Sequence, residues 1–192
     1  MDCTKVGALI RSLRRERGMT QKMLADRLGL SDRTVSKWER GWGCPDVSLL
    51  NELAAALGVD TARLLSGELA ENDRDGGNMR RLNFYVCPTC GNILTATGEA
   101  ALSCCGRTLE PLKARKADPE HQIRVENVED DWYITYPHGM EKGHFIRFFA
   151  YVRFDRLLLV RLYPEQGSEV RLPAMRGGRL FWCCSEHGLF EQ

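Results

Sequence analysis

Residues 20–40, TQKMLADRLGLSDRTVSKWER, contain two short helices and the tight turn between them. Thr20 stands where a hydroxyl can accept from the free N–H groups of a first helical turn, ahead of Leu24, Ala25 and Leu28 on one face. Gly29-Leu30-Ser31 then makes the turn, and Ser31 caps a third helix from about Asp32 to Arg40. Upstream, Val6, Leu9, Ile10 and Leu13 repeat at i, i+3, i+4 and i+7, and Gly18 is placed to end that first helix in the left-handed conformation. Downstream, Leu50, Leu53, Ala54 and Leu57 carry the same period up to Gly58, and Thr61 to Leu65 supplies a fifth, short helix. The spacing therefore predicts a compact five-helix bundle.

Thr20-Gln21, Leu24-Ala25, Gly29, Ser31, Val35-Ser36, Trp38-Glu39-Arg40-Gly41 and Pro45 closely resemble the phage-repressor-like helix-turn-helix family. That resemblance implies a third helix lying in the major groove of double-stranded DNA. It implies Asp32, Arg33, Ser36 and Lys37 as base readers, with Arg33 and Lys37 donating to guanine and Asp32 accepting from cytosine. Gln21, Ser31, Thr34 and Arg40 are expected on the phosphates. Arg14 and Glu39 correspond to a structural ion pair between the first and third helices. One such module per chain implies a homodimer reading two half-sites.

Residues 68–81, ELAENDRDGGNMRR, are polar and glycine-bearing with no apolar period, which predicts a flexible connection over 68–82. Phe84-Tyr85-Val86 then reads as a short strand leading into Cys87-Pro-Thr-Cys90, and Cys104-Cys105 completes four thiols within nineteen residues. Four thiolates in a tetrahedron suit zinc or iron alike. The segment CPTCGNILTATGEAALSCCG resembles the desulforedoxin module, which implies iron; a structural zinc is the alternative at this site. Cys3 and Cys44 lie outside these clusters and are expected to be ordinary thiols in or near the helical core.

From Gln122 onward the period changes to two: Ile123, Val125; Trp132, Ile134, Tyr136; Ile146, Phe148, Ala150, Val152; Leu158, Val160, Leu162; Leu180, Trp182. Turn signals separate these runs, which predicts a small antiparallel sandwich of immunoglobulin-like type. All four histidines, His121, His138, His144 and His187, fall after residue 120. Cys183 and Cys184 should point to opposite faces of their strand, so only one can join a given metal, and Cys184 forms a Cys-x-x-His unit with His187. The His138-Gly-Met-Glu-Lys-Gly-His144 loop and the terminal Cys184-Ser-Glu-His187-Gly-Leu resemble the superoxide reductase, or desulfoferrodoxin, catalytic domain. This implies an iron held by His121, His138, His144, His187 and Cys184 with one position open. The family carries Glu-Lys before its first ligand histidine, whereas this chain has Pro119-Glu120-His121. Glu120 would repel superoxide and could take the open metal position after oxidation; Lys142 could restore positive charge. These two residues are the candidate catalytic groups.

Formal net charge is +1, yet residues 1–40 hold ten Lys/Arg against five Asp/Glu and residues 68–192 hold sixteen against eighteen. Basic character is local, as a nucleic-acid footprint is. The chain shows no signal-peptide pattern and no apolar run near the roughly 20 residues that cross a bilayer. It is expected to be cytoplasmic and off the membrane, with thiols that stay reduced or bind metal. The expected organisation is multidomain α + β: a helix-turn-helix domain over 1–67, the linker, a desulforedoxin-like module over 83–113, and a superoxide reductase-like sandwich over 114–192. The preferred function is a sequence-specific transcriptional regulator that senses oxidant through iron. The alternative is a superoxide reductase carrying a DNA-binding domain, served by an electron-donor protein. A third reading makes the C-terminal half a zinc-stabilised interaction module.

Overall fold

The computed structural model describes residues 2–70, 79–175 and 177–192. The chain divides into two compact units, Met1–Glu71 and Asn72–Gln192. Of the expected linker, residues 71–78 lie outside the described residues, while Met79–Arg81 form a 3-10 turn whose Met79 packs, with Leu82, against the second unit's sheet.

The first unit is built from α1 (Cys3–Glu16), α2 (Gln21–Arg27), α3 (Asp32–Glu39), α4 (Leu50–Leu57) and α5 (Thr61–Ser66). The Thr20 hydroxyl accepts from Met23 N at 3.1 Å and the Ser31 hydroxyl from Thr34 N at 3.3 Å, so both expected caps form. Val6, Ile10, Leu24, Val35, Leu53 and Leu64 are fully buried and enclose Trp38. Gly7 lets α3 approach α1 closely: a side chain there would collide with the Trp38 carbonyl. Beside this contact the buried Arg14 donates through Nε to Glu39 Oε1 at 2.5 Å, through Nη2 to Oε2 at 2.9 Å and through Nη1 to Met19 O at 2.6 Å. A buried charge pair is tolerated when its remaining donors and acceptors are satisfied in this way.

Cys3 and Cys44 are not free thiols. They form a disulfide with Cα atoms 4.9 Å apart, tying the start of α1 to the segment after α3. The pairing went unread because the two cysteines are 41 residues apart and meet only when α1 packs on α3.

The second unit begins with two hairpins, β1 (Asn83–Val86) with β2 (Ile93–Ala96) and β3 (Leu102–Cys104) with β4 (Arg107–Leu109). The rest is a two-sheet sandwich. Its strands are β5 (Arg115–Lys116), β6 (Arg124–Val128), β7 (Asp131–Thr135), β8 (Ile146–Val152), β9 (Leu157–Arg161), β10 (Glu169–Pro173), β11 (Arg179–Cys184) and β12 (Gly188–Glu191). One sheet runs β10-β7-β6 and the other β5-β12-β11-β8-β9. Among the described residues every strand pairing is antiparallel except β12 with the two-residue β5, which is parallel and departs from the expected antiparallel arrangement. The sequence reading also passed over β10 and β12, although Val170 and Leu172 alternate inward between exposed neighbours.

The larger sheet is covered on both faces. Phe149, Tyr151, Trp182 and Phe190 meet Ile134 and Leu172 of the smaller sheet, while Phe148, Ala150, Phe181 and Leu189 meet Phe84. Central strands buried on both sides become near-continuous apolar runs, which is why β8 reads Ile-Arg-Phe-Phe-Ala-Tyr-Val. The expected single face through Ile146, Phe148, Ala150 and Val152 is broken at its first member. Cys183 pairs with Phe148 but Cys184 pairs with Ile146, so Arg147 is an extra residue in β8. This bulge moves Ile146 into the core between the sheets, away from Phe148.

Candidate functional site

α3 is amphipathic: Val35 and Trp38 enter the core, while Asp32, Arg33, Lys37 and, just past its end, Arg40 are exposed. Ser36 is half-buried. The Asp32 carboxylate accepts from Arg33 N at 2.8 Å, and the Ser31 and Thr34 hydroxyls lie 2.9 Å apart. Gln21 donates through Nε2 to Glu39 Oε2 at 2.8 Å, so part of its amide braces the Arg14–Glu39 pair. Arg40 donates through Nε to Ser36 O at 3.1 Å and lays its guanidinium over the exposed Trp42 ring, 3.9 Å from the centroid. Trp42 had no role in the sequence reading, and no local pattern marks it.

In the second unit the four thiols Cys87, Cys90, Cys104 and Cys105 converge, with all four sulfurs within 4.8 Å of one another. Gly91, in the left-handed region at φ +67°, closes the first pair into a knuckle in which Gly91 N donates to Cys87 O at 2.9 Å. The second pair sits at a two-residue hairpin turn between Cys104 and Arg107, where Cys105 and Gly106 have φ of +51° and +74°. That is the turn demanding positive φ at both central positions. Holding Cys105 there costs about 1 kcal/mol, and it brings the two adjacent sulfurs to 4.0 Å. N–H donation from Cys90, with that of Thr89, lowers the Cys87 thiol to about 6 against the cost of burial. The facing Cys90 and Cys87 sulfurs push Cys105 up to about 12. Thiols crowded this way cannot all ionise without a cation, which a soft divalent or trivalent metal provides.

The second group is drawn from four separate segments. His121 precedes β6, His138 and His144 flank the loop before β8, Cys184 ends β11, and His187 lies in the β11–β12 turn. His138 Nε2 and His144 Nε2 are 3.0 Å apart, and His187 Nδ1 and His121 Nε2 3.1 Å. Cys184 Sγ lies 3.1, 3.4 and 3.6 Å from the facing nitrogens of His144, His138 and His187. Nitrogens bound about 2.1 Å from one ion at right angles stand about 3.0 Å apart, so the spacing fits four imidazoles and a thiolate around a common centre. Burial holds His138 below the usual imidazole range, which keeps it the neutral ligand form. His187 is exposed, so the group reaches solvent on that side.

Three comparisons bear on this arrangement. The helix-turn-helix family model matches residues 10–64. The chain is 45% identical over 67 residues to the HTH-type transcriptional regulator y4dJ of Sinorhizobium fredii, covering 34% of this chain and 87% of that one. The chain belongs to the HTH-type transcriptional regulators. It is also 33% identical over 81 residues to the HTH-type transcriptional activator BcrR of Enterococcus faecalis, covering 40% of this chain and 39% of that relative's length. The superoxide reductase of Treponema pallidum superposes on the regulator with a TM-score of 0.51 at 17% identity, covering 59% of this chain and 98% of that one. The regulator thus joins a helix-turn-helix domain to a second unit with the superoxide reductase fold. No helix among its described residues is long and apolar enough to cross a membrane.

Several residues that shape the regulator's His–Cys group were not singled out from sequence. Asp118 Oδ1 lies 2.5 Å from His121 Nδ1, and the short Asp-x-x-His spacing was the available signal. Trp182 Nε1 donates to His121 O at 3.0 Å, and Phe190 stacks on the His121 ring. The Ser185 hydroxyl accepts from Phe145 N and donates to Gly143 O, both at 3.1 Å, stapling the segments that carry His144 and Cys184 together. Glu186 N donates to Cys184 Sγ at 3.5 Å. Of the candidate catalytic residues, Glu120 is exposed next to His121, and Lys142 is exposed with its ammonium 3.8 Å from Glu165. The regulator therefore partly neutralises the cation expected to attract an anion to the site.

Proposed function

We propose that this regulator binds operator DNA as a homodimer through α3 and changes that binding when iron held by its second unit is oxidised. The observation that carries the reading is the convergence of His121, His138, His144, His187 and Cys184 into one group in a chain whose other unit matches the helix-turn-helix family. Iron bound there would supply one-electron exchange with an oxidant such as superoxide. The protein's own residues do the rest. Asp118 orients His121, Glu186 N stabilises negative charge on the Cys184 sulfur, and Phe190 and Trp182 shield the inner side of the group from water. The four-thiolate group would hold a second iron, or a zinc that stabilises the β1–β4 hairpins. Asp32, Arg33, Ser36 and Lys37 would read bases, while Ser31, Thr34, Arg40 and the free part of Gln21 would meet phosphates.

A sensing role requires oxidised and reduced forms to differ in DNA affinity, since an effector shifts an equilibrium only through such a difference. The second reading, superoxide reduction, takes one electron from a donor protein and two protons per superoxide to give hydrogen peroxide. It has less support because Glu120 occupies the place of the family's lysine and Lys142 is paired with Glu165. The deciding experiment is anaerobic purification with metal analysis and an optical spectrum, followed by DNA-binding titrations before and after a mild oxidant. Two metals per chain including iron, a reversible thiolate-to-iron band and a changed DNA affinity are expected. Zinc in both groups with a silent spectrum overturns the redox reading. Fast superoxide consumption with unchanged DNA affinity selects the enzyme.

A further inference from the structure

Five of the eight cysteines belong to the two metal-ligating groups and Cys183 is buried among aromatic rings, which leaves Cys3 and Cys44 outside both. Their sulfurs are joined, and both residues are half-buried rather than sealed in the core. Cys3 opens α1, while Cys44 lies in the segment between α3 and α4. The end of α3 is closed by Gly41 N donating to Trp38 O at 2.9 Å and Trp42 N to Lys37 O at 3.0 Å. Beyond it, among the described residues, Gly43 and Cys44 make no backbone–backbone hydrogen bond. The same segment carries Arg40, whose guanidinium lies over Trp42, a ring residue that is 70% exposed. Gly41, at φ +72°, rests against the start of α1: a side chain there would meet Thr4 Cα at 3.1 Å. The disulfide therefore fixes the far end of a segment whose near end is fixed by α3.

We propose that Cys3 and Cys44 are a reversible oxidation site for hydrogen peroxide, and that closing the bond strengthens DNA binding by ordering the segment after α3. A small oxidant suits a half-buried pair. One thiolate attacks peroxide: the O–O bond breaks, hydroxide leaves and a sulfenic acid forms. The other thiol attacks that sulfur, the S–S bond forms and water leaves. Two electrons thus pass from the thiols to peroxide, and a dithiol reductant returns them while becoming a cyclic disulfide itself. Where DNA is transcribed, cellular reductants keep thiols reduced, and a disulfide formed there is usually transient and catalytic or redox-sensing. The helical unit can open this bond and stay folded, because α1 and α3 are also joined by the apolar core around Val6, Ile10 and Val35 and by the buried Arg14–Glu39 pair. What opening frees is the stretch from Arg40 to Cys44. Rejoining it removes disorder that DNA would otherwise have to remove on binding, which is how preorganisation adds affinity.

This inference rests on DNA binding by α3, and the test separates the two. Full-length, metal-loaded protein prepared without oxygen is treated with dithiothreitol or with hydrogen peroxide, the reagent is removed, and a duplex selected from a randomised pool is titrated. The gain in affinity on peroxide treatment should be roughly three- to tenfold larger in wild type than in Cys3→Ser/Cys44→Ser, the worth of one ordered side chain, and dithiothreitol should reverse it. Any gain the variant keeps belongs to the metal groups, whose content and optical change should match those of wild type. Alkylation and peptide mass spectrometry on wild type alone should label Cys3 and Cys44 after dithiothreitol and not after peroxide, a readout that does not depend on how well the variant folds. Equal gains in the two proteins, or a bond that resists dithiothreitol while the chain is folded, overturn the proposal and leave the disulfide a structural tie. Failure of wild type to bind any duplex in either state would instead sink the DNA reading, with the labelling still deciding whether peroxide closes the pair.

Discussion

Asp118 Oδ1 stands 2.5 Å from Nδ1 of His121, whose Nε2 lies 3.1 Å from His187 Nδ1 within the His–Cys group. The carboxylate thereby fixes the tautomer that leaves Nε2 free to bind a cation. Replacing Asp118 with Ala should weaken metal binding at the His–Cys group about 10–100-fold while leaving the four-thiolate group loaded. Chelator competition followed by metal analysis checks this, and equal retention at both groups would remove the orienting role.

Cys183 and Cys184 are adjacent in β11 but belong to different cores. Burial pushes the Cys183 thiol up to about 12, so it stays protonated among Phe84, Phe148 and Phe181. Cys184→Ser should abolish the sulfur-to-metal absorption of the His–Cys group, whereas Cys183→Ser should lower stability by about 1–2 kcal/mol and keep that band. A spectrum lost in both variants, with normal folding, would contradict this assignment.

The Arg14–Glu39 pair predicts a pH dependence of the helical unit. Burial works to raise the Glu39 pKa, but the bonds from Arg14 and Gln21, with the Arg14 charge, outweigh it and leave the value lowered. A carboxyl whose native value lies below its unfolded value of about 4.3 adds stability that is complete above that pH and drains away as pH falls through the native value. Arg14→Ala, which strands a buried carboxylate, should cost about 3–5 kcal/mol at pH 7. Urea midpoints at pH 7 and pH 3 test both statements, with Glu39→Gln expected to flatten the acid limb.

Reduction of the Cys3–Cys44 disulfide should destabilise the helical unit. The bond closes a loop with a sequence separation of 41, worth up to about 4 kcal/mol in chain entropy. Melting curves with and without reductant, compared with Cys3→Ser/Cys44→Ser, read the difference. No change on reduction would mean the linkage contributes nothing to folding.

Arg33→Ala should weaken specific DNA binding by about 1–3 kcal/mol, or roughly 5–150-fold, without altering metal content. Parallel loss of both would show that the two units do not divide the work as proposed.

Much of this architecture is legible in the linear text because it rests on near neighbours. Thr20 and Ser31 cap helices through N–H groups three residues ahead, and the apolar period of α1 is complete within one helix face. The knuckle and the Cys105-Gly106 turn are likewise local, since each closes over a handful of residues. Less legible were Trp42, which packs under Arg40 with no spacing to announce it, and β10, whose short alternation lies between glycine-bearing turns.

The sequence by itself determined the two-unit organisation, the helix caps, the paired cysteines and the residue types able to bind metal, because hydrogen-bond and turn partners within about five residues are set by chain geometry. Only the tertiary structure decided which distant groups meet. Sheet register and the extra residue Arg147 carry Cys184 to His138, 46 residues away, and the packing of α1 on α3 joins Cys3 to Cys44. Such contacts depend on how sheets and helices stack, a long-range balance of buried surface and register that no local window of sequence contains.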